Sequence, residues 1–271
     1  MNVQLGGQQS YPENYDPSLL VSIARSASRS SLKCKQFNGV DLWTCYELSW
    51  LDSSGKPFVA IAEVRVPADS PNIIESKSFK YYLNSLNQHR VGGQESLKRL
   101  VSQDLSAVAG ALVDVRLYSL EGFVRHRAQT ESLGWCLDDL ELGEALSRPD
   151  KSLLLSSDDQ QTLDDSGGVW CSHLLKSNCP VTGQPDWASI WLGMKGVKPC
   201  PQSLLRYIVS FRNHQDFHES CVERIYSDLS EVFEPSQLWV YARYTRRGGL
   251  DINPFRSSES ILAPVVFGAR Q

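Results

Sequence analysis

An internal repeat limits what this chain can fold into more than any other feature. The stretch ESLKRLVSQDLSAV, starting at Glu95, aligns with ESCVERIYSDLSEV, starting at Glu219, at a spacing of 124 residues. Glu, Ser, Asp, Leu, Ser and Val are kept at Glu95/Glu219, Ser96/Ser220, Asp104/Asp228, Leu105/Leu229, Ser106/Ser230 and Val108/Val232. Just upstream, at a spacing of 125, YLNSLNQH from Tyr82 aligns with YIVSFRNH from Tyr207 and keeps Tyr, Ser and His. Two adjacent matches in the same order point to a duplication, so one supersecondary unit is expected twice.

The repeated unit reads as two helices flanked by strands. Phe79, Tyr82, Leu83 and Leu86 recur at helical spacing, as do Leu204, Tyr207, Ile208 and Phe211. Leu97, Leu100, Val101 and Leu105 repeat the pattern in the next segment, matched by Val222, Ile225, Tyr226 and Leu229. Ahead of the first pair, LWTCYELSWL and FVAIAEVRVP flank DSSGKP, a hairpin signal, and WASIWLGMKG holds a similar place in the second half. ALVDVRLYSL and QLWVYARYT follow the two helix pairs. The unit is therefore β-β-α-α-β. The expected division is residues 1–133, an acidic Ser-rich linker or excursion at 134–168, and residues 169–271.

Charge narrows the function. With 27 basic and 31 acidic residues the net charge is −4, which argues against a broad phosphate-binding surface and against direct nucleic-acid binding. No apolar run approaches the ~20 residues of a membrane span. The opening MNVQLGGQQSYPENYD has neither a basic n-region nor an apolar h-region, so a cytoplasmic location is expected. The seven cysteines contain no CxxC pair, so reduced thiols and no metal centre are expected.

Four segments could carry chemistry. Cys179 lies in the Pro/Gly-rich turn SNCPVTGQPDW with Asp186 seven residues on, and a nearby carboxylate can take or deliver a thiol's proton. Spacing alone leaves inert burial equally open. The matching stretch of the first half, WLDSSGKP, has neither a Cys nor an Asp near its end, which favours function over scaffold. His218 and Glu219 open the second helix of the second repeat. Glu219 and its mate Glu95 could be simple first-turn acids, whereas His218 faces Gln94 in the alignment. Glu75, Ser76 and Lys77 start another helix, with Ser76 near the cap. Finally, Arg246 and Arg247 precede Gly248 and Gly249, a setting suited to phosphate or to an ordinary exposed turn. Neither GxGxxG nor a P-loop occurs.

ESKSFKYYLNS at 75–85, SNCPVTGQPDW at 177–187, FHESCVERI at 217–225 and YARYTRRGGLDINP at 241–254 together resemble the long, two-module form of the QueF family of NADPH-dependent nitrile reductases. The resemblance spans about residues 11–256. It implies an α+β chain of tandem tunnelling-fold (T-fold) modules, antiparallel sheets each carrying two helices, assembling as a homodimer. It implies reduction of 7-cyano-7-deazaguanine (preQ0) to 7-aminomethyl-7-deazaguanine (preQ1) in queuosine biosynthesis, with two NADPH and a covalent thioimide. It further implies Cys179 and Asp186 as catalytic, Ile74, Glu75, Ser76, His218 and Glu219 as binding the deazapurine, and Ser76, Lys77, Arg247 and Gly248 as binding NADPH. The alternatives are a zinc-dependent, GTP cyclohydrolase-like T-fold enzyme with Cys179 and His218 as ligands, or a non-catalytic purine-binding module.

Overall fold

The two hairpins foreseen from the turn signals form the halves of one sheet. The computed structural model describes residues 11–130, 133–143, 148–157 and 167–270. Residues 1–10, where the expected absence of an export leader begins, and much of the acidic tract (144–147 and 158–166) lie outside the described residues.

In chain order, β1 (Ser22–Ala24) and α1 (Arg25–Arg29) precede the first hairpin, β2 (Asn38–Leu51) and β3 (Pro57–Pro67). β4 (Asn72–Ile74) pairs back with β1 and leads into α2 (Ser76–Ser85) and α3 (Gln94–Ala109). β5 (Asp114–Tyr118) and α4 (Leu120–Arg127) close the first half. A two-residue β6 (Trp135–Cys136) precedes the second hairpin, β7 (Gly168–Asn178) and β8 (Pro185–Lys195). Then follow α5 (Pro201–Ser210), α6 (His218–Phe233), β9 (Gln237–Tyr244) and β10 (Leu250–Ser257). The main sheet runs β5-β3-β2-β10-β9-β8-β7-β6, antiparallel except for the β6–β7 edge. The fold is thus α+β with antiparallel strands, as expected, and the two halves share one continuous sheet. The weld is the β2–β10 ladder, which pairs Leu250–Ser257 with Cys45–Asn38.

The residues kept in the repeat do the same work twice. The Tyr82 hydroxyl donates to Asp104 and the Tyr207 hydroxyl to Asp228, both at 2.6 Å. Ser85 and Ser210 each donate to the preceding Tyr carbonyl at 2.6 Å, tying off α2 and α5. The His89 carbonyl accepts from Leu51 N, and the His214 carbonyl from Asn178 N, so each helix pair is fastened to its hairpin tip. Each hairpin also carries a bulge, at Cys45/Leu48 and at Ser172/Leu175. Two apolar cores follow, one per half, both on the helix-covered face of the sheet. Burying a large apolar side chain there contributes about 1.5–3 kcal/mol.

Two elements stand out among those absent from the sequence reading. The segment after Gly249, to which the sequence reading gave no element, is the strand β10, every residue of which is buried. Its polar side chains hid it, and they are satisfied internally. Asp251 accepts from the Tyr46 hydroxyl at 2.6 Å and from Thr44 N at 3.2 Å. Asn253 accepts from Tyr244 N and donates to the Leu42 carbonyl, each at 3.2 Å. The second is α4, an unforeseen helix after β5, N-capped by Ser119, which accepts from Gly122 N at 3.0 Å.

Candidate active site

The hairpin tips define the site because they are where the halves differ. In the first half Asp52 N donates to the Lys56 carbonyl and the Asp52 carboxylate accepts from Ser54 and Lys56, an ordinary closed turn. In the second half Cys179 holds the equivalent place, its N–H donating to the Gln184 carbonyl and its carbonyl accepting from Gly183 N, both at 2.9 Å. Cys179 is partly exposed. Burial pushes its thiol up and the nearby Asp186 charge adds to that. Hydrogen bonds from the Thr182 hydroxyl and from Thr182 and Val181 N–H outweigh both, holding it below the ordinary thiol value.

Asp186 stands on β8 opposite Ser177 and is only 4% exposed. Its Oδ1 is ion-paired with the Arg247 guanidinium and lies 3.0 Å from His218 Nε2, in a geometry too bent for a hydrogen bond. His218, the first residue of α6, stacks on Tyr244 with ring centroids 3.9 Å apart. Arg247 also donates to the Gln184 and Pro185 carbonyls at 2.9 Å, tying the β9–β10 turn to the Cys179 turn.

Glu219 and Glu95 occupy the same position in matched helices, yet Glu95 is exposed and Glu219 is 3% exposed. A first-turn acid placed only for the helix dipole has no reason to be buried, so the simple reading of Glu219 fails. Burial, followed by the charge of Asp41, pushes its carboxyl up to about 8 against the pull of Arg25 and Arg256. No ion pair reaches it among the described residues. A buried acceptor that lines a cavity, with its own backbone N–H as a donor and no side-chain donor among the described residues, is suited to a ligand that offers N–H groups.

That cavity has a volume of about 280 Å³ and lies between the halves. The second half contributes Cys179, Asp186, His218, Glu219, Arg247 and Gly248, and the first contributes Ile74, Glu75, Ser76 and Lys77. All the residues that the resemblance assigns to catalysis, substrate or cofactor therefore line one cavity within one chain. Glu75 rather than Ser76 caps α2, its carboxylate accepting from Lys77 N at 2.9 Å and from Ser78 N at 2.6 Å. That fixes the backbone from which Ser76 and Lys77 reach the cavity mouth. Arg246 instead turns to the Tyr46 ring, 4.8 Å from its centroid.

Sequence reasoning missed Thr182 and Lys80. Lys80 follows Lys77 by three residues on α2, so helical spacing would have put both on one flank. Thr182 gave no signal beyond its place in the turn. Gly248, at φ +55°, brings the backbone against Lys80; an added Cβ would lie 2.7 Å from Lys80 Nζ. The zinc reading gains no support at this cavity, because no third ligand atom groups with Cys179 and His218 among the described residues.

Residues 11–117 match a family described as nitrile reductase, 7-cyano-7-deazaguanine-reductase N-terminal, and residues 185–261 match the QueF-like protein family. A protein of Teredinibacter turnerae named NADPH-dependent 7-cyano-7-deazaguanine reductase is 53% identical over 260 residues, covering 94% of this chain and 90% of that protein. Proteins of the same name from Saccharophagus degradans and Ralstonia nicotianae are 51% and 49% identical, covering 95% and 94% of this chain and 94% and 92% of their own.

Proposed function

The chain belongs to the family of NADPH-dependent 7-cyano-7-deazaguanine reductases, and we propose that it reduces the nitrile of preQ0 to the primary amine of preQ1, a step toward the queuosine modification of tRNA. The observation that carries this reading is the convergence of a lowered thiol, a buried carboxylate and a Glu219 without a side-chain partner among the described residues on one cavity between the halves.

Glu219, once ionised, accepts the paired N–H groups of the deazaguanine's amino-pyrimidinone edge, beside His218 and Ile74. This orients the nitrile toward the Cys179 turn. The Cys179 sulfur adds to the nitrile carbon as one C–N π bond breaks. Asp186 takes the thiol proton and hands it to the nitrogen, giving a neutral thioimide. The C=N so formed is a better hydride acceptor than the nitrile, and expulsion of Cys179 after the first reduction regenerates the thiolate and leaves an imine. NADPH, when bound, supplies two hydrides in succession, four electrons in all. Lys77 and Lys80 on α2 and Arg247 at the turn give that rim the positive charge a dinucleotide's phosphates need, with Ser76 as a further donor and Gly248 admitting close approach.

The modules are assigned to residues 1–133 and 169–271, and the chain is assigned to a cytoplasmic homodimer that does not touch nucleic acid directly. No described helix is long and apolar enough to cross a membrane. The test is intact mass after mixing with preQ0 without cofactor. A gain equal to the whole substrate, absent from Cys179→Ala, is expected, with two NADPH oxidised per amine in turnover. No adduct, or an adduct that survives Cys179→Ala, overturns the mechanism.

A further inference from the structure

The face of the sheet turned away from α2, α3, α5 and α6 carries a second cluster of reactive side chains. β6 and β7 run parallel there, with Cys136 directly opposite Cys171. Cys171 packs with Trp191, Tyr241 and Phe255 on this face, and Cys136 borders the same cluster. Two residues along β7, His173 meets the edge of Trp191 with ring centroids 6.4 Å apart. The two sulfur atoms and a ring nitrogen of His173 all lie within 4.8 Å of one another. Around a tetrahedral zinc, bonds of about 2.3 Å to sulfur and about 2.0 Å to nitrogen set ligand atoms roughly 3.3–3.8 Å apart. Closing the triad onto one ion therefore takes small side-chain rotations and no movement of strands.

The surroundings hold the triad in place. His173 Nδ1 is 2.8 Å from the Ser189 hydroxyl, an outer contact that holds the orientation of the ring. Asp138 accepts from the Ser172 hydroxyl at 2.6 Å and from His173 N at 3.0 Å, locking the segment after β6 to β7. Arg270 donates to the His173 carbonyl at 2.8 Å. Cys171 is buried, Cys136 half-buried and His173 exposed, so one quadrant opens to solvent. The cluster shares no residue with the catalytic cavity.

We propose that Cys136, Cys171 and His173 bind one borderline-soft divalent cation, zinc foremost, with water as the fourth ligand. Two thiolates and an imidazole select that class of metal over magnesium or calcium. The ion would cross-link the two-residue strand β6 to β7 and so pin the tract between the halves onto the sheet edge. Sequence spacing concealed the site, because Cys136 is brought to Cys171 and His173 only by strand pairing.

The test is a cobalt(II) titration of the full-length, reduced, chelator-treated chain. About one cobalt per chain is expected, with a sulfur-to-cobalt charge-transfer band and tetrahedral visible bands, both displaced by zinc. Cys136→Ser and Cys171→Ser should each weaken binding at least tenfold and reduce the charge-transfer band. Ser189→Ala should weaken it roughly 10–100-fold with the band shape kept. Cys179→Ser should bind as the wild type, and circular dichroism checks that each variant folds. The proposal is overturned by no band in the wild type, by a band surviving the double Cys136→Ser, Cys171→Ser change, or by a band lost with Cys179→Ser. A Cys136–Cys171 disulfide recovered from protein kept under reductant would also overturn it.

Discussion

Replacing Glu219 by Gln should make the protein more stable and less able to bind its substrate, with both effects set by pH. The carboxyl is pushed up to about 8, against an ordinary 4.5, by burial first and Asp41 second. Below the ordinary value both folded and unfolded chains hold the proton, and Glu219 adds no pH dependence. As pH rises through the window between about 4.5 and 8 the unfolded chain ionises first, so the folded state loses stability progressively until its own carboxyl ionises. At 1.36 kcal/mol per pH unit, the penalty reaches on the order of 3 kcal/mol at pH 7 and levels off on the order of 5 kcal/mol above pH 8. Gln cannot ionise and escapes this. Urea unfolding at pH 5, 7 and 9 should therefore show the variant nearly equal to the wild type at pH 5 and increasingly more stable above it. Binding moves the other way. The ligand's N–H donors want the carboxylate, so wild-type affinity should improve close to tenfold per pH unit up to about 8, with one proton released per ligand bound. Gln, which presents an amide N–H to those donors, should bind about a hundredfold or more weakly and lose the pH slope. Equal stability differences at pH 5 and 9, together with a pH-independent wild-type affinity, would refute the reasoning.

Three further outcomes follow from the same geometry. Asp186→Asn should lower turnover by about 10²–10⁴-fold with preQ0 binding largely kept, since the change removes a proton carrier and no substrate contact; a binding defect with normal chemistry would contradict this. Arg247→Ala should raise the Michaelis constant for NADPH, and an unchanged constant removes Arg247 from the cofactor site. Thr182→Val takes a hydrogen bond from the Cys179 sulfur, so the pH midpoint of Cys179 alkylation by iodoacetamide should move up from its lowered position; an unmoved midpoint would show that the turn's backbone N–H groups suffice.

The halves were legible because the duplication preserved residues with side-chain jobs. Tyr82–Asp104 and Tyr207–Asp228 are visible as identities and bond identically. The Cys179 turn was legible through its difference from WLDSSGKP, since scaffold needs would have applied to both copies. β10 was not, because Asp251, Asn253 and Arg256 are buried on its two faces among Leu250, Ile252 and Phe255, and apolar periodicity is blind to a strand whose polar groups are paired inside. The burial of Glu219 was equally invisible, as its local sequence matches that of exposed Glu95. The β6 edge went unseen because a strand of two residues carries no period.

The same buried polar chemistry explains why the catalytic cavity sits at the join. Arg256 on β10 bonds to Asp41 on β2 at 2.7 Å and to Glu223 on α6 at 2.8 Å, and Arg29 on α1 reaches Glu223 at 2.7 Å. Arg25 completes the set against Asp41. Breaking one buried partner typically costs 3–5 kcal/mol, whereas an apolar seam of the same volume could hold the halves as well or better. Stability alone therefore does not account for the charges. Glu219 lies one turn before Glu223 on α6, and the members of this network act on it directly: Asp41 pushes its carboxyl up, while Arg25 and Arg256 pull it down. An apolar seam would leave only burial and its own backbone N–H acting on the Glu219 carboxyl, whereas here Asp41 raises it and Arg25 and Arg256 lower it. The charged seam therefore both joins the two copies and takes part in setting where Glu219 ionises.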